Sequence, residues 1–233
     1  MGSSRLTGLI LGIVLFCSGC KEEGKAPAKN ALQANNLYLE YQVWGDEERG
    51  EVTVLLQLRQ KNNRGGTIKL EAPGSVALDG KVLSPDSSRM GGVFYEARHP
   101  LEHFAGPHKL TVTDENGAQV TEAFEYTPFT LVSPIKERVG RENLALQLAG
   151  LKKEDQLRVT LVDTVFSTQD INEVVPVVGG RLRITPQQLK GVTTGPVTLL
   201  LFKEEEGPIT NPGVRGGTMS VTYGLMREFE LVD

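Results

Sequence analysis

The sequence predicts an all-β protein built from two consecutive antiparallel β-sandwich domains. Three observations lead to this prediction. Short runs in which apolar and polar residues alternate with period two recur from Leu37 to the end of the chain. Turn residues separate these runs at short, regular intervals, as in sandwich folds. The chain has 233 residues, 39% of them hydrophobic, which is enough for two cores of about 100 residues each.

The first domain is predicted to span residues 35–131. Its first two strands, 37–44 and 52–59, alternate strictly and are joined by the polar hairpin loop 45–50. Asp79-Gly80 is a strong signal for a tight hairpin turn. The remaining strands of this domain are predicted at residues 67–71, 76–78, 81–83, 93–97, 109–113 and 119–126.

The second domain is predicted to span residues 134–233, after a boundary at 128–134 that has proline at both ends. Thr185 and Pro186 are typical of the start of a short helix over residues 186–190. Its strands are predicted at residues 144–148, 157–161, 181–185, 197–203 and 218–232. The 197–203 segment is apolar on both faces and is expected at the sheet centre, whereas the long last strand is expected at an edge.

The first twenty residues have the parts of a secretory signal. Arg5 precedes an uncharged segment, and the small residues Ser18 and Gly19 lead to Cys20. This ending resembles a bacterial lipobox, which implies cleavage after residue 19 and lipidation of Cys20. Residues 21–23 resemble the export tag of Bacteroidetes-type surface lipoproteins. The alternatives are a cleaved signal with an incidental cysteine, or an uncleaved membrane anchor. Residues 20–34 are then a lipidated N-terminus and flexible tether.

Two stretches of the first block resemble bacterial Ig-like domains. Residues 106–117 (GPHKLTVTDENG) are similar to the penultimate strand and turn of such domains, and residues 76–83 (VALDGKVL) are common in them. The resemblance implies an Ig-like sandwich and no particular function. The second block is similar to C-terminal modules of Bacteroidetes-type outer-membrane lipoproteins whose activity is unassigned.

Composition and motifs exclude several classes of function. The net charge is −4, and no basic run interleaved with aromatic residues predicts a nucleic-acid partner. The two cysteines are Cys17, in the signal, and Cys20, so the mature chain has no thiol for a disulfide, a zinc–thiolate site or nucleophilic catalysis. No nucleophile elbow, His-Glu-x-x-His motif or phosphate-binding loop is present. The chain is therefore predicted to be no enzyme and to need no cofactor.

One cluster of residues could hold a metal ion. All three histidines, His99, His103 and His108, lie within ten residues of each other, with Glu96 and Glu102 nearby. Imidazole and carboxylate groups are usual ligands of zinc, so the cluster is a candidate metal site. The alternative is structural, because His108 begins a predicted strand and would then pack and form hydrogen bonds at a corner of the domain.

A second candidate is an aromatic surface on the first strand. Tyr38 and Trp44 share its nominally polar face, and Leu55 of the next strand has the same orientation. Exposed aromatic rings can stack on sugars or contact a protein. The alternative is that this face packs on the second domain. The acidic groups 46–48 and 204–206 are expected at hairpin tips, as solvated surface.

Together these observations predict a cell-envelope lipoprotein that acts as a non-enzymatic binding or scaffold module. Its lipid would anchor it in the outer membrane, facing either the periplasm or the cell surface. Its partner would be an envelope protein or a glycan. The alternatives are a metal-binding protein that uses the three histidines and a surface module that binds glycans through Tyr38 and Trp44.

Overall fold

A computed structural model describes residues 33–142, 144–165 and 171–233 of the chain. The predicted signal 1–19, Cys20 and most of the tether 20–34 lie outside these residues. Nearly all regular structure is β, and the one α-helix is α1 (Pro186–Leu189). The strands are β1 (Leu37–Asp46), β2 (Glu51–Gln60), β3 (Ser75–Leu78), β4 (Lys81–Leu83), β5 (Pro85–Ser88), β6 (Gly92–Pro100), β7 (Gly106–Thr113), β8 (Gln119–Tyr126), β9 (Thr130–Leu131), β10 (Arg138–Val139), β11 (Leu144–Ala149), β12 (Gln156–Asp163), β13 (Ile171–Pro176), β14 (Arg181–Ile184), β15 (Gly195–Pro208) and β16 (Gly216–Leu231).

The predicted all-β sandwich fold is confirmed. The first two strands, the Asp79-Gly80 hairpin and the central strand after residue 195 all form as the alternation indicates. Asp79 and Gly80 both have positive φ, as a tight hairpin turn of this kind requires. Thr185 caps α1 through a reciprocal pair of bonds with Gln188, with proline at the first helical position. In the part of the chain that the structure describes, no helix is long and apolar enough to cross a membrane.

One large sheet runs through both halves of the chain. Its strand order is β13-β12-β15-β16-β1-β2-β6-β5, and β10 joins it alongside the last part of β16. The long C-terminal strand was expected at an edge, and this expectation was wrong. Instead β16 lies between β15 and β1, because one of its edges pairs with β15 and the other pairs with β1.

Two smaller sheets pack against the same face of this large sheet. They have the strand orders β4-β3-β7-β8 and β14-β11-β9. The strand register shows that this face is shared, because buried residues lie opposite buried residues in neighbouring strands. Val43 lies opposite Val54. Leu201 lies opposite both Val159 and Leu225. Buried positions therefore align from strand to strand, and the described core is a single hydrophobic cluster.

The parallel pairing of β1 with β16 connects the two halves. It extends over nine residue pairs, from Tyr38 opposite Gly216 to Asp46 opposite Gly224. Gly217 makes this close approach possible. A Cβ atom at that position would lie against the carbonyl oxygen of Leu39, well inside van der Waals contact, and 2.7 Å from Cδ1 of Ile209. The junction therefore depends on the absence of a side chain at Gly217.

A buried lysine reinforces the junction from the core side. Lys203 of β15 is 5% exposed, and its Nζ atom donates to Oγ1 of Thr127 at 2.7 Å. The same Nζ lies 3.1 Å from Oδ2 of Asp155 and 3.1 Å from Oε1 of Glu205. Thr127 follows β8 and Asp155 precedes β12, so one ammonium group links segments from both halves of the chain to β15. A buried charge needs such partners to offset its desolvation.

Two sequence-based expectations differ from the structure. Residues 67–71 form no strand and make only one bridge, between Arg59 and Thr67, because the amide of Leu70 donates to the hydroxyl of Tyr95 instead of to a neighbouring strand. The acidic group 204–206 lies within β15 and not at a hairpin tip, because pairing with β16 continues as far as Pro208.

Replacing Gly217 by alanine is expected to destabilise the protein by about 1–3 kcal/mol, because the new methyl group has to displace the Leu39 backbone. Gly207→Ala is the matched control, since nothing lies within 4 Å of the Cβ that it would add in β15. Urea unfolding of both variants measures the difference. Equal free energies of unfolding for the two variants would contradict the proposed role of Gly217.

Candidate functional site

The second face of the large sheet carries partly exposed aromatic and aliphatic side chains. Along β1, buried residues alternate with partly or fully exposed ones, and β2, β12 and β15 alternate in the same way over most of their length. Among the described elements, both small sheets lie on the opposite side. We name this surface the open face and define it by Tyr38, Trp44, Leu55, Phe94, Leu200, Phe202 and Met226, all of them partly exposed.

Trp44 lies near the middle of the open face between two threonines. Thr53 of β2 and Thr222 of β16 are its direct neighbours on either side. Thr53 is only 8% exposed although it lies on this face. Two positions along β1, Gln42 lies between Leu55 and Ser220. Here an indole ring is therefore surrounded by hydroxyl and amide groups, a combination that can both stack and form hydrogen bonds.

The aromatic surface extends into the second half of the chain. Phe202 of β15 lies opposite Gly224, and a Cβ on that glycine would be 2.8 Å from Cε1 of Phe202. The phenyl ring therefore covers the backbone of β16. Leu200 and Met226 continue the apolar surface as a cross-strand pair. Sequence reasoning missed this extension because the partner of β1 could not be read from the pattern.

Three pairs of oppositely charged residues lie on the open face. Arg98 Nε lies 2.7 Å from Oε1 of Glu96, and Arg158 Nε lies 2.9 Å from Oε2 of Glu204. Arg59 and Glu40 form a third pair beside Tyr38. Exposed pairs of this kind contribute little stability, but they cancel charge locally. The surface around the aromatic rings is therefore close to neutral.

The described residues of the second half, 144–165 and 171–233, do not lie over Tyr38 and Trp44. That packing was the alternative interpretation of the aromatic surface, and it is wrong. The second half extends the sheet sideways through β16, so its strands share the open face instead of covering it. Whether Tyr38 and Trp44 bind a ligand stays a prediction.

His108 has the structural role that the alternative interpretation assigned to it. Its Nδ1 lies 2.7 Å from Oδ2 of Asp79, and its Nε2 lies 2.8 Å from the carbonyl oxygen of Phe104. The ring also stacks on Phe104 with a centroid distance of 3.9 Å. Both ring nitrogens of His108 therefore face oxygen atoms of the protein at hydrogen-bond distance, and neither faces an open position where a metal could bind.

The other two histidines do not complete a ligand set with His108. His99 stacks on Phe104 at a centroid distance of 5.1 Å, and exposed His103 lies 3.1 Å from its neighbour Glu102. Within residues 33–142, 144–165 and 171–233, no group of three or more His, Cys, Asp or Glu side chains could hold a metal ion. The metal site stays a prediction without geometric support.

A third site, absent from the sequence-based expectations, is a cleft at the side of the first half. It has a volume of about 460 Å³ and lies between β8 on one side and the ends of β15 and β16 on the other. Glu122, Glu125, Glu205 and Glu206 line it together with Phe124. The available sequence signal was Glu122 itself, a charged residue at an inward position of the alternating strand β8.

Comparisons with known proteins give only distant similarities. No protein-family model and no curated protein matches the chain. The IG1+IG2 region of DIP-gamma is 10% identical over 84% of this chain and 98% of that chain, with a TM-score of 0.23. A 1.5-MDa bacterial ice-binding adhesin is 10% identical over 85% and 65%, with a TM-score of 0.24. The Bacteroides ovatus protein SGBP-B, solved in complex with a mixed-linkage heptasaccharide, is 14% identical over 76% and 53%, with a TM-score of 0.22. At these TM-scores the similarities carry no argument about function.

Asp79→Asn is expected to remove a pH-dependent contribution to stability. Burial alone would raise the pKa of Asp79, but the hydrogen bonds from His108 and the Lys109 amide and the charges of His108 and His99 hold it below its ordinary value. A lowered pKa in the folded state means that the ionised carboxylate stabilises the fold above its unfolded-state pKa. This contribution is lost as the pH falls through the folded-state pKa.

The measurement is the free energy of unfolding in urea between about pH 5 and about pH 2 for both proteins. The difference in the free energy of unfolding between wild type and Asp79→Asn should decrease as the pH falls. Asparagine suits this test because it tolerates the positive φ at position 79 and keeps an acceptor for the Lys109 amide. A difference in the free energy of unfolding that stays constant over this pH range would contradict a lowered pKa of Asp79 in the folded state.

Proposed function

We propose that the chain is a lipid-anchored, non-enzymatic binding module of the bacterial cell envelope, and that it binds an envelope protein through the open face. The observation that carries the proposal is the sheet itself. One face of a sheet that joins both halves carries a belt of partly exposed aromatic and aliphatic side chains. Contiguous apolar surface of this kind is typical of interaction sites.

The dimensions of the open face favour a protein partner. Tyr38 and Trp44 are six residues apart on one strand, a distance of about 20 Å at about 3.3 Å per residue. From β6 to β15 the face crosses four strand spacings, again about 20 Å. A surface that is broad in both directions matches another protein surface better than a single sugar chain.

The chemistry of the open face agrees with this partner. Aromatic residues are enriched at the centres of protein interfaces, where charged residues are depleted. Trp44 and Phe202 lie near the middle of the sheet, and the charged residues beside them occur in opposite pairs. A neutral, aromatic centre can be desolvated at low cost when a partner covers it.

A glycan is the second candidate ligand, and the surroundings of Trp44 favour it. Sugar rings stack on indole while their hydroxyl groups exchange hydrogen bonds with polar side chains. Thr222 and Gln42 lie beside Trp44 and could make such bonds. Because Trp44 is the only tryptophan, a bound oligosaccharide would change the intrinsic tryptophan fluorescence of the chain.

Site-specific crosslinking in intact source cells tests the protein partner. A photoreactive amino acid at Gln42, an exposed position in the open face, is expected to give one reproducible protein adduct. The same group at Lys81, exposed on β4 of a small sheet, should give none. Introducing Trp44→Ala or Phe202→Ala beside the Gln42 probe should reduce the adduct at least about tenfold, as expected for loss of an interface anchor.

The controls separate the outcomes of this experiment. Both alanine variants must retain the wild-type melting temperature, since their side chains are only partly buried. Equal adducts from positions 42 and 81, or an adduct that neither variant weakens, would contradict binding through the open face. Fluorescence changes on addition of oligosaccharides, without a protein adduct, would favour the glycan.

The anchoring part of the proposal rests on Cys20. Cys20→Ser is expected to move the chain from the membrane fraction to the soluble fraction, because stable anchoring requires two or more acyl chains. Cys17→Ser is the matched control and should leave the chain in the membrane fraction. Membrane association that survives Cys20→Ser would contradict lipidation and favour an uncleaved anchor.

A further inference from the structure

The cleft beside β8 brings together two strand edges that pair with no further strand in the part of the chain that the structure describes. Strand β8 is the last strand of its four-stranded sheet and there pairs only with β7, although Nδ2 of Asn211 donates to the carbonyl of Thr121 at 3.4 Å near the start of β8. On the opposite side, β12 pairs with β15 no further than Phe202, so among the described strands the end of β15 from Lys203 to Pro208 pairs only with β16. Unpaired edges of this kind are the sites at which an extended peptide can add a strand.

Hydrogen bonds of the neighbouring strand show which groups of β8 point outward. Lys109 of β7 directs both its carbonyl and its amide to Asp79, on the side away from β8. In an antiparallel pair, when one residue directs its amide and carbonyl away from the neighbouring strand, the residue opposite it does the same. The residue opposite Lys109 is Ala123, so the amide and carbonyl of Ala123 point away from β7. By the same alternation, the amide and carbonyl of Glu125 point to the free edge, where neither has a partner among the described residues.

The interior of the cleft is partly apolar and offers a buried surface to an added strand. Phe124 is 7% exposed, and Met219 and Val221 pack against the core from β16. All three line the cleft. Side chains of an inserted strand would alternate between this interior and solvent, since successive residues point to opposite faces.

The charge of the cleft is negative and incompletely balanced. Glu125 is paired with Lys152 at 2.9 Å and Glu205 with Lys203 at 3.1 Å, whereas Glu122 and Glu206 have no ion-pair partner among the described residues. The Oε1 atom of Glu122 is buried without a hydrogen bond. A cationic side chain entering the cleft would therefore meet a carboxylate that lacks a counter-charge.

A second buried polar group without a hydrogen-bond partner among the described residues belongs to β1. Tyr41 is 1% exposed, its hydroxyl has no such partner, and it lies opposite Met219, which lines the cleft. Burial raises the pKa of Tyr41, and the negative charge of Glu122 raises it further. Buried polar groups without partners are rare in proteins, and a ligand is one way to satisfy them.

We propose that this cleft is a second binding site, in which an extended segment of a partner protein adds to the free edge of β8. Basic and apolar residues of the segment alternate at its inward positions, so that cations meet Glu122 and apolar side chains meet Phe124 and Met219. The site is on a different surface from the open face, so it neither requires nor contradicts the proposed function above.

The test uses the full chain in detergent and a synthetic nonapeptide, acetyl-Thr-Lys-Thr-Val-Thr-Lys-Thr-Val-Thr-amide. Binding is measured by fluorescence anisotropy of the labelled peptide at low and high salt. The peptide is expected to bind, and its twin with Glu in place of Lys should not, because like charges repel in the cleft. The same lysine peptide with alternate backbone amides N-methylated should also fail, since it cannot form the strand bonds.

Variants of the chain locate the site. Glu122→Gln, and separately Ala123→Pro, are each expected to raise Kd at least about tenfold. Proline is tolerated at an edge where the amide points to solvent, so Ala123→Pro should keep the β7 pairing. The matched controls are Ala123→Ser, which keeps the amide, and Glu228→Gln, which removes an exposed carboxylate elsewhere. Both should bind like the wild type.

Four results would overturn the proposal. The first three are equal binding of the lysine and glutamate peptides, an unchanged Kd for Ala123→Pro with a wild-type melting temperature, and absence of peptide binding to the wild-type chain. Self-association that Ala123→Pro abolishes would also overturn it, because the occupant would then be a second copy. Trp44→Ala should leave peptide binding unchanged, which keeps this test separate from that of the open face.

Discussion

The shared C-terminal strand is the constraint on which the rest of the structure depends. β16 pairs with β15 from Thr218 to Leu231 and along its first nine residues with β1. Its two neighbours belong to the two halves of the chain, so neither half can complete its sheet without it. The close approach at Gly217 and the buried ammonium group of Lys203 are both located at this junction. Folding of the first half is therefore coupled to the far end of the chain.

The functional surfaces follow from the same arrangement. Because β16 joins the halves edge to edge, their outward residues form one open face, and aromatic residues from both halves contribute to it. Because the pairing of β12 with β15 extends only to Phe202 while β15 continues to Pro208, this edge of β15 pairs with no other described strand, and the acidic cleft lies between it and β8. One strand thus accounts for a broad neutral surface and for a narrow negative one.

Two of the three clustered histidines contribute to packing in the first half of the chain. His99 and His108 both stack on Phe104, and His108 also links the β3–β4 turn to the segment before β7 through Asp79 and the Phe104 carbonyl. Their closeness in sequence is explained by this aromatic corner. The glutamates of the acidic cleft, by contrast, are not close together in sequence, because they come from two segments about 80 residues apart.

The sequence by itself determined the all-β class, most strand positions, the Asp79-Gly80 turn and the capped helix α1. These features depend on side-chain alternation and turn residues within a few positions. It did not predict the strands β5 and β13, whose exposed residues show no clear alternation. It placed Tyr38 and Trp44 on one face but could not show what lies opposite them.

Only the tertiary structure decided which strands distant in sequence are neighbours. Alternation shows which side of a strand is buried, but most of the described strands have nearly the same pattern, so the pattern carries no information on pairing between distant strands. The central position of β16, the contribution of Phe202 to the open face and the placement of Glu122 and Glu205 in one cleft all depend on such pairing. Contacts between distant segments are selected by packing of the whole core, which no local stretch of sequence contains.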